Sequence, residues 1–149
     1  MQDATKGDER PVFDAADGDW FLQKLVTIFN SVPGAGMGIT LNVGGMLISG
    51  QLASGKEYFE GIGAVIAGAE NAQNDTGAAI ANLFKSAVVV YERQAPDDQA
   101  REPPNYIHLK DAKFISPGQI GTPSVGVWWR GRLCEVAGFM VGTLSHELK

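Results

Sequence analysis

The stretch from Ile39 to Leu52 constrains the fold more than any other part of the chain. Ile39, Leu41 and Val43 alternate with Thr40 and Asn42, Gly44-Gly45 follows, and the chain returns through Met46, Ile48, Gly50 and Leu52. Two consecutive glycines supply the positive φ angles of a two-residue hairpin loop, so the pattern predicts a tight antiparallel pair. Val43 then faces Met46 and Leu41 faces Ile48. One face becomes wholly apolar, while the other carries Thr40, Asn42, Ser49 and Gln51, as expected of a pair with one buried side. A slip of one residue would mix the two faces, which fixes the register.

Around this hairpin the periodicity changes. Residues 1–18 are polar, charged and aperiodic, and are expected to form a flexible acidic leader ahead of a single domain over 19–149. From Asp19 a helical stripe of Phe21, Leu25, Ile28 and Phe29 is predicted, capped by Asp17 or Asp19 and ended by Ser31-Val32-Pro33-Gly34. After the hairpin, Ser54-Gly55-Lys56-Glu57 reads as a capping box opening a helix whose stripe is Tyr58 or Phe59, Ile62, Val65 or Ile66, and Ala69. A second helix follows, with Ile80, Leu83, Phe84, Ala87 and Tyr91 directed inward. Its Val88-Tyr91 end is compatible with either helix or strand. These two helices form an insertion over about residues 54–92, followed by a Pro-rich loop at 93–105.

Strand signals resume at Tyr106-Ile107-His108-Leu109-Lys110, with Ile107 and Leu109 on one side. Val125 to Arg130 is strongly β-prone, Gly131 invites a bend, Leu133 to Val136 is expected to continue the strand, and Ala137-Gly138 to turn the chain into a last strand at 139–144. The five strands are too few for a flat sheet that buries both faces. The fold expected is α+β: a small five-stranded antiparallel Sm-like or SH3-like barrel with an N-terminal helix and a two-helix insertion between strands 2 and 3.

Charge is distributed unevenly. The formal charge is -5, and residues 1–19 hold Asp3, Asp8, Glu9, Asp14, Asp17 and Asp19 against Lys6 and Arg10, leaving the body close to neutral. A surface built to grip a phosphate backbone needs clustered Lys and Arg, so nucleic acid is disfavoured. Cys134 is the only cysteine, which excludes an internal disulfide and a thiolate zinc site within one chain and fits a reducing compartment. No uncharged apolar run approaches the 18 to 20 or so residues that span a bilayer, and the expected location is the cytoplasm.

Enzymatic readings are weak. Gly50 to Glu57 has the glycine spacing and lysine of a P-loop, but Glu57 stands where a magnesium-binding hydroxyl is required, and the preceding strand belongs to a hairpin. Cys134 with His108 or His146 lacks a third orienting group, and Glu135 would raise the thiol pKa. His108 is read as a surface histidine on the polar face of its strand, and Gly34 to Gly38 follows a helix, which removes the context for a dinucleotide loop. No catalytic, cofactor-binding or metal-binding residues are assigned. Trp128, Trp129, Arg130 and Arg132, with Tyr106, are the candidate partner-binding residues. One tryptophan should fill the core while the other lies outward beside an arginine, unless both are covered by helices.

Two resemblances follow. Gly45-Met46-Leu47-Ile48-Ser49-Gly50-Gln51-Leu52, Asn105 to Ala112 and Trp129-Arg130-Gly131 resemble the motifs of Sm-like barrels. That likeness implies an alternative RNA-binding role through Asn105, Tyr106, Arg130 and Gly131. Over most of residues 39–145 the chain resembles the gas vesicle accessory protein GvpU family. The residues that carry this are Leu41-Asn42-Val43, Ile48-Ser49-Gly50, Lys56-Glu57-Tyr58-Phe59, Tyr106 to Lys110, Pro123-Ser124, Trp129-Arg130-Gly131, Glu135-Val136, Gly138-Phe139 and Gly142. This resemblance implies a cytoplasmic, non-enzymatic protein associated with gas vesicles. It would act in their assembly or clustering through self-association and contact with the vesicle shell protein or intact vesicles, and need no cofactor.

Overall fold

The computed structural model describes residues 18–69, 74–92, 103–116 and 125–144. The acidic leader up to Asp17 and most of the Pro-rich loop lie outside the described residues. In chain order the elements are α1 (Trp20–Ser31), β1 (Met37–Val43), β2 (Met46–Ala53), α2 (Gly55–Ala67), α3 (Asp75–Glu92), β3 (Tyr106–Ile115), β4 (Val127–Arg132), a single 3-10 turn (Leu133–Glu135) and β5 (Val136–Val141).

Asp19 starts α1 as its N-cap, the carboxylate Oδ1 accepting from the amides of Phe21 at 2.7 Å and Leu22 at 3.1 Å. The buried stripe differs from the expected one. Leu22 and Val26 are fully buried and Leu25 and Phe29 partly so, while Phe21 and Ile28 are exposed. Both stripes satisfy a 3.6-residue period, and the sheet selects the one centred on Val26. Phe21 stacks its ring on Phe139 with centroids 6.3 Å apart.

The hairpin forms in the expected register, Val43 opposite Met46 and Leu41 opposite Ile48. Gly44 and Gly45 have φ of 59° and 83°, the pair of positive angles a type I′ turn demands. Five antiparallel strands assemble in the order β4-β3-β2-β1-β5.

That order makes β4 and β5 opposite edges, although only residues 133–135 separate them. Four strand spacings of a flat sheet would be about 19 Å, whereas four extended residues reach about 14 Å at most. The sheet is therefore curled. It is not, however, the closed barrel expected from the sequence, because no ladder joins β4 to β5 among the described residues. Two local features explain the opening. Leu133 to Glu135 forms a 3-10 turn where continuation of the strand was expected, and Ala137-Gly138 lies inside β5 instead of turning the chain. After Val141, Gly142 turns with φ of 113°, and the following residues cross the outer face of β1–β2 instead of extending the edge. There Gly142 N donates to Gly38 O at 2.7 Å and Leu144 N to Ser49 Oγ at 2.8 Å. Thr40 Oγ1 donates to Gly142 O at 2.9 Å. Thr40 and Ser49, placed by their sequence pattern on an open polar face, are consequently buried.

The curl has a second source in β3. Asp111 takes φ of 51°, the one positive angle outside glycine among the described residues, and the register shifts beside it on both the β2 and the β4 side. Such a bulge bends the strand and increases its twist. Gly126 lets β4 approach it: a Cβ there would stand 2.5 Å from Asp111 Cα.

Inside the curl, Ile39, Leu41, Ile48, Leu52, Ile107, Leu109 and Ala112 form one core with Leu22, Val26 and Leu133. At about 25 cal/mol per Å² of apolar area removed from water, burial of this kind supplies most of the favourable folding energy. Outside the curl, α2 opens with the expected capping box: Ser54 Oγ accepts from Glu57 N at 3.0 Å and Glu57 Oε2 from Ser54 N at 2.9 Å. Asn30 of α1 adds a bond, its Oδ1 accepting from Gly55 N at 2.9 Å. The Val88-Tyr91 segment is helical, completing α3.

Candidate interaction site on the outer face of the sheet

The base of the α2–α3 hairpin packs on the outer face of β3 and β4. Cross-strand pairing sets His108 opposite Arg130 and Tyr106 opposite Arg132, so β3 and β4 present these four side chains on one side. From above, α2 contributes Tyr58 and Phe59, and α3 contributes Tyr91.

His108 is the centre of this cluster and overturns its reading as a surface histidine, being 1% exposed. Its ring centroid lies 4.8 Å from that of Tyr58, 5.9 Å from Phe59 and 5.9 Å from Tyr91. Arg130 Nε donates to His108 Nε2 at 3.2 Å. Nε2 is thus an acceptor, which puts the proton of the neutral ring on Nδ1. Nδ1 has no hydrogen-bond partner. Burial first, and the Arg130 charge second, lower the pKa of His108 to about 3, so the imidazole is neutral at physiological pH. With one nitrogen engaged by Arg130 and the other enclosed, this ring acts as an anchor for Arg130, and no reacting group can reach it as a base.

Arg130 is held from three directions. Besides His108, its guanidinium carbon lies 3.5 Å from the Tyr106 ring centroid and 5.5 Å from that of Phe59. The planar cation is stacked as well as hydrogen-bonded, which immobilises it while its outer end stays exposed. Arg132, two residues on, is exposed and pairs with Glu135 at 3.6 Å.

The tryptophans separate as alternation requires. Trp129, paired with Leu109, packs against the core, and Trp128 lies on the outer face, its ring 6.2 Å from Tyr58 and edge-on to it. Trp128 is covered by α2, because any Cβ at Gly61 would run into its indole. Of the five candidate residues, Tyr106, Arg130 and Arg132 form one surface group. Trp128 lies beside it under the helix, and Trp129 lies on the opposite side of the sheet. Sequence reasoning missed Tyr58, Phe59, Tyr91 and His108 as members of this cluster. The signal for His108 was its position two residues after Tyr106, on the same strand face.

The segment with P-loop-like spacing, read from the sequence as a helix cap, is occupied by its own caps. Ser54, Gly55, Glu57 and Tyr58 amides bond to Glu57, Asn30, Ser54 Oγ and Ser54 O, leaving none of these donors for a phosphate. Lys56 pairs with Glu92 at 3.4 Å and Glu60 at 3.9 Å. A cavity of about 110 Å³ beside this segment is lined by Gln51, Glu57 and Lys110 among others, a mixed-charge surface. Cys134 is exposed in the 3-10 turn. No group of three metal-ligating side chains occurs among the described residues.

Beyond its base the α2–α3 hairpin is open and apolar. Val65 is 60% exposed, Leu83 67% and Val90 68%, and Ile80 is exposed too, correcting the inward direction expected for Ile80 and Leu83. No charged residue occurs from Gly61 to Ala69, and only Asp75 and Lys85 from Asn74 to Tyr91. Helices packed on each other and on a core only at one end keep an outer apolar face that water touches, the usual mark of a contact surface.

An open, curled sheet with helices inserted between β2 and β3 can be set beside known families. A family model described as gas vesicle protein GvpU-like matches residues 19–144, which span every element described above. The chain belongs to this GvpU-like family. No curated protein and no solved structure matches it significantly. Within this GvpU-like protein no described helix is long and apolar enough to cross a membrane.

Proposed function

We propose that this GvpU-like protein is a non-enzymatic cytoplasmic accessory factor that promotes gas vesicle assembly or clustering by self-association and by contact with the vesicle shell. The exposed apolar outer face of the α2–α3 hairpin carries this reading. Val65, Ile80, Leu83 and Val90 expose hydrocarbon on helices that carry few charges, a surface suited to another polypeptide's apolar face. Self-association has its own support in the sheet, where β4 and β5 each pair with one strand and have no second strand partner among the described residues. The residues of the RNA-binding alternative are already engaged within the protein. Arg130 covers the Tyr106 ring that would stack a base, Asn105 O accepts from Leu133 N at 2.9 Å, and Gly131 lies under the Trp129 ring.

Flotation of intact gas vesicles with the purified protein tests the proposal. The protein should float with the vesicles, survive moderate salt because the contact is apolar, and stay behind when Leu83 and Val65 are changed to Glu. Light scattering should show a species larger than one chain. Recovery of wild-type protein only in the subnatant would end the shell-contact reading, and a monomer at all concentrations would end the self-association reading.

A further inference from the structure

The two edges of the sheet are guarded differently. β4 carries Arg130 and Arg132, whereas β5, with the sequence Val-Ala-Gly-Phe-Met-Val, holds no charged residue and no proline. Charges and prolines are what commonly keep an edge strand from pairing with another chain. Nor can β4 cover β5 within the chain. Four antiparallel pairings separate them, so the two strands run in the same direction. Parallel neighbours need a crossover of about a dozen residues or more, and only residues 133–135 lie between these two. They therefore follow one another end to end, and the far half of β5 lies away from β4. After Val141 the chain leaves the edge for the outer face of β1–β2.

Hydrogen-bond alternation along β1 shows which groups β5 turns outward. A two-residue hairpin makes Val43 and Met46 a bonded pair, so Leu41 and Ile39 bond to β2 while Asn42 and Thr40 direct their backbone toward β5. Their partners there are Gly138 and Met140, and Gly142 N continues the alternation by donating to Gly38 O at 2.7 Å. The N–H and C=O groups of Phe139 and Val141 consequently point away from β1. A register shift at Asn42/Val43 places a bulge at Ala137, so residues 138–141 are the regular part of this edge. Their side chains are apolar on both faces. Phe139 and Val141, opposite Leu41 and Ile39, lie on the core side with Phe21 stacked on Phe139, and Met140 lies on the outer side. Val141 is 67% exposed and Met140 44%.

Outward backbone groups between exposed apolar side chains fit an added strand, and the strand best matched to β5 is β5 itself. About a two-fold axis through Met140, Phe139 of each copy faces Val141 of the other, each pair exchanging two backbone bonds, with the two Met140 side chains adjacent on the outer face. The same operation on β4, about Gly131, would set Arg130 opposite Arg132, like charges that repel. Pairing β4 with β5 would offer the arginines no carboxylate. We propose that residues 138–141 are the self-association site, two copies joining β5 to β5 antiparallel through Phe139 and Val141 into one continuous sheet. The dimer rests on the self-association reading above, whose surface it names, and does not depend on contact with the vesicle shell. It makes no use of the α2–α3 hairpin, which packs on β3 and β4, so each dimer carries two such hairpins.

Sedimentation velocity of the full-length chain over a range of concentrations tests the pairing, using Met140→Lys, Met140→Glu, an equimolar mixture of the two, and Val141→Pro. Met140 is exposed and the Val141 N–H lies outside the β1 ladder, so each variant should keep the wild-type fold, as read by its urea midpoint. Each charged variant sets like charges across the axis and should weaken the dimer by about tenfold or more. The mixture opposes unlike charges and should recover it. Val141→Pro removes an outward donor and should leave a single chain. Independently of any variant, the Phe139 and Val141 amides of the wild type should exchange several-fold more slowly where the dimer prevails than after dilution to the monomer. A wild-type monomer at every concentration would overturn the dimer together with the self-association reading. An assembly that all three variants keep would overturn the β5 pairing alone, self-association then running through another surface. A mixture that stays monomeric would also overturn it, as would equal protection of the two amides in monomer and dimer, which would show the edge covered by the chain's own residues.

Discussion

The two faces of the curled sheet are built on different physics. Within the curl, β1, β2 and β3 place Ile39, Leu41, Ile48, Leu52, Ile107 and Leu109 in one apolar cluster with α1, and Phe29, Phe114, Trp129 and Phe139 pack against it. Outside it, the same strands carry Thr40, Ser49 and His108, which are equally buried but depend on particular partners: a backbone carbonyl, a hydroxyl, an arginine Nε. Apolar burial needs only area and fit. Polar burial also requires each atom to find its match, and His108 Nδ1 shows that the outer face does not fully succeed. The inner face should therefore hold the fold, and the outer face should set where the α2–α3 hairpin sits and how that position responds to solution conditions.

Truncation separates the faces most strongly. Leu109→Ala, at a fully buried inner position, should cost about 3 kcal/mol from lost transfer energy and the cavity left behind. His108→Leu, its immediate neighbour on the outer face, should cost no more than about 1 kcal/mol at pH 7, because the exposed Arg130 is resolvated and an unpartnered N–H is removed. Urea denaturation of both variants reads the difference. Equal losses would break the comparison.

Acid gives the next largest effect and acts on the outer face through His108. Its folded pKa of about 3 lies below the ordinary 6.5, so over that interval the unfolded chain binds a proton that the folded chain refuses. The contribution is complete above about pH 6.5 and falls by about 1.4 kcal/mol per unit as pH drops toward 3. At pH 5 the deficit is about 2 kcal/mol. Stability curves at pH 7 and pH 5 should therefore converge for His108→Leu and the wild type, the variant losing less on acidification. Parallel losses would mean that His108 is accessible to protons in the folded state.

This asymmetry also explains which parts of the molecule were legible in the sequence. Period-two alternation around Leu41 and Leu109, the Gly44-Gly45 turn and the Ser54/Glu57 box are local signals, and each appears as expected. The burial of His108 depends on Tyr58, Phe59 and Tyr91, from helices far earlier in the chain, folding back over its strand. No local pattern reports that. Phe21 and Ile28 competed with Leu22 and Val26 for the same helical period, and only the position of the sheet decided between them. Ile80 and Leu83 look like core residues because apolar contact surfaces and cores share a composition. Closure failed for a comparable reason: a 3-10 turn at Leu133 and the path of residues 142–144 are short-range choices made by tertiary contacts. Of the surface group, Tyr106, Arg130 and Arg132 were named as candidates from residue type, while the histidine that anchors Arg130 was not.

Ser54→Ala tests how far the outer layer depends on local bonds at its root. The change removes the acceptor of Glu57 N at the start of α2 and should cost about 1 kcal/mol, the usual value of an N-cap. Asn30 still caps Gly55 N, so the helix start is weakened without being released. The loss should appear as faster amide exchange in the first turn of α2, with the inner-face amides of β1 unchanged. Uniformly faster exchange would show that the two layers unfold as one unit.

The smallest effect is expected at the bulge that both layers share. Asp111 holds φ at 51°, a region that costs most L-residues about 1–2 kcal/mol and asparagine or aspartate less. Asp111→Gly removes that strain but adds backbone freedom to the unfolded chain, at a cost of about 0.4–1 kcal/mol. The two terms nearly cancel, and the melting temperature should hardly move. The bend itself is retained, because it is enforced by the shifted registers with β2 and β4 and by the close approach of Gly126, none of which involves the Asp111 side chain. A large loss of stability in the glycine variant would instead assign the carboxylate a bonding role. Curvature of the inner face would then depend on a polar contact, and the division of labour between the two faces would not hold at this position.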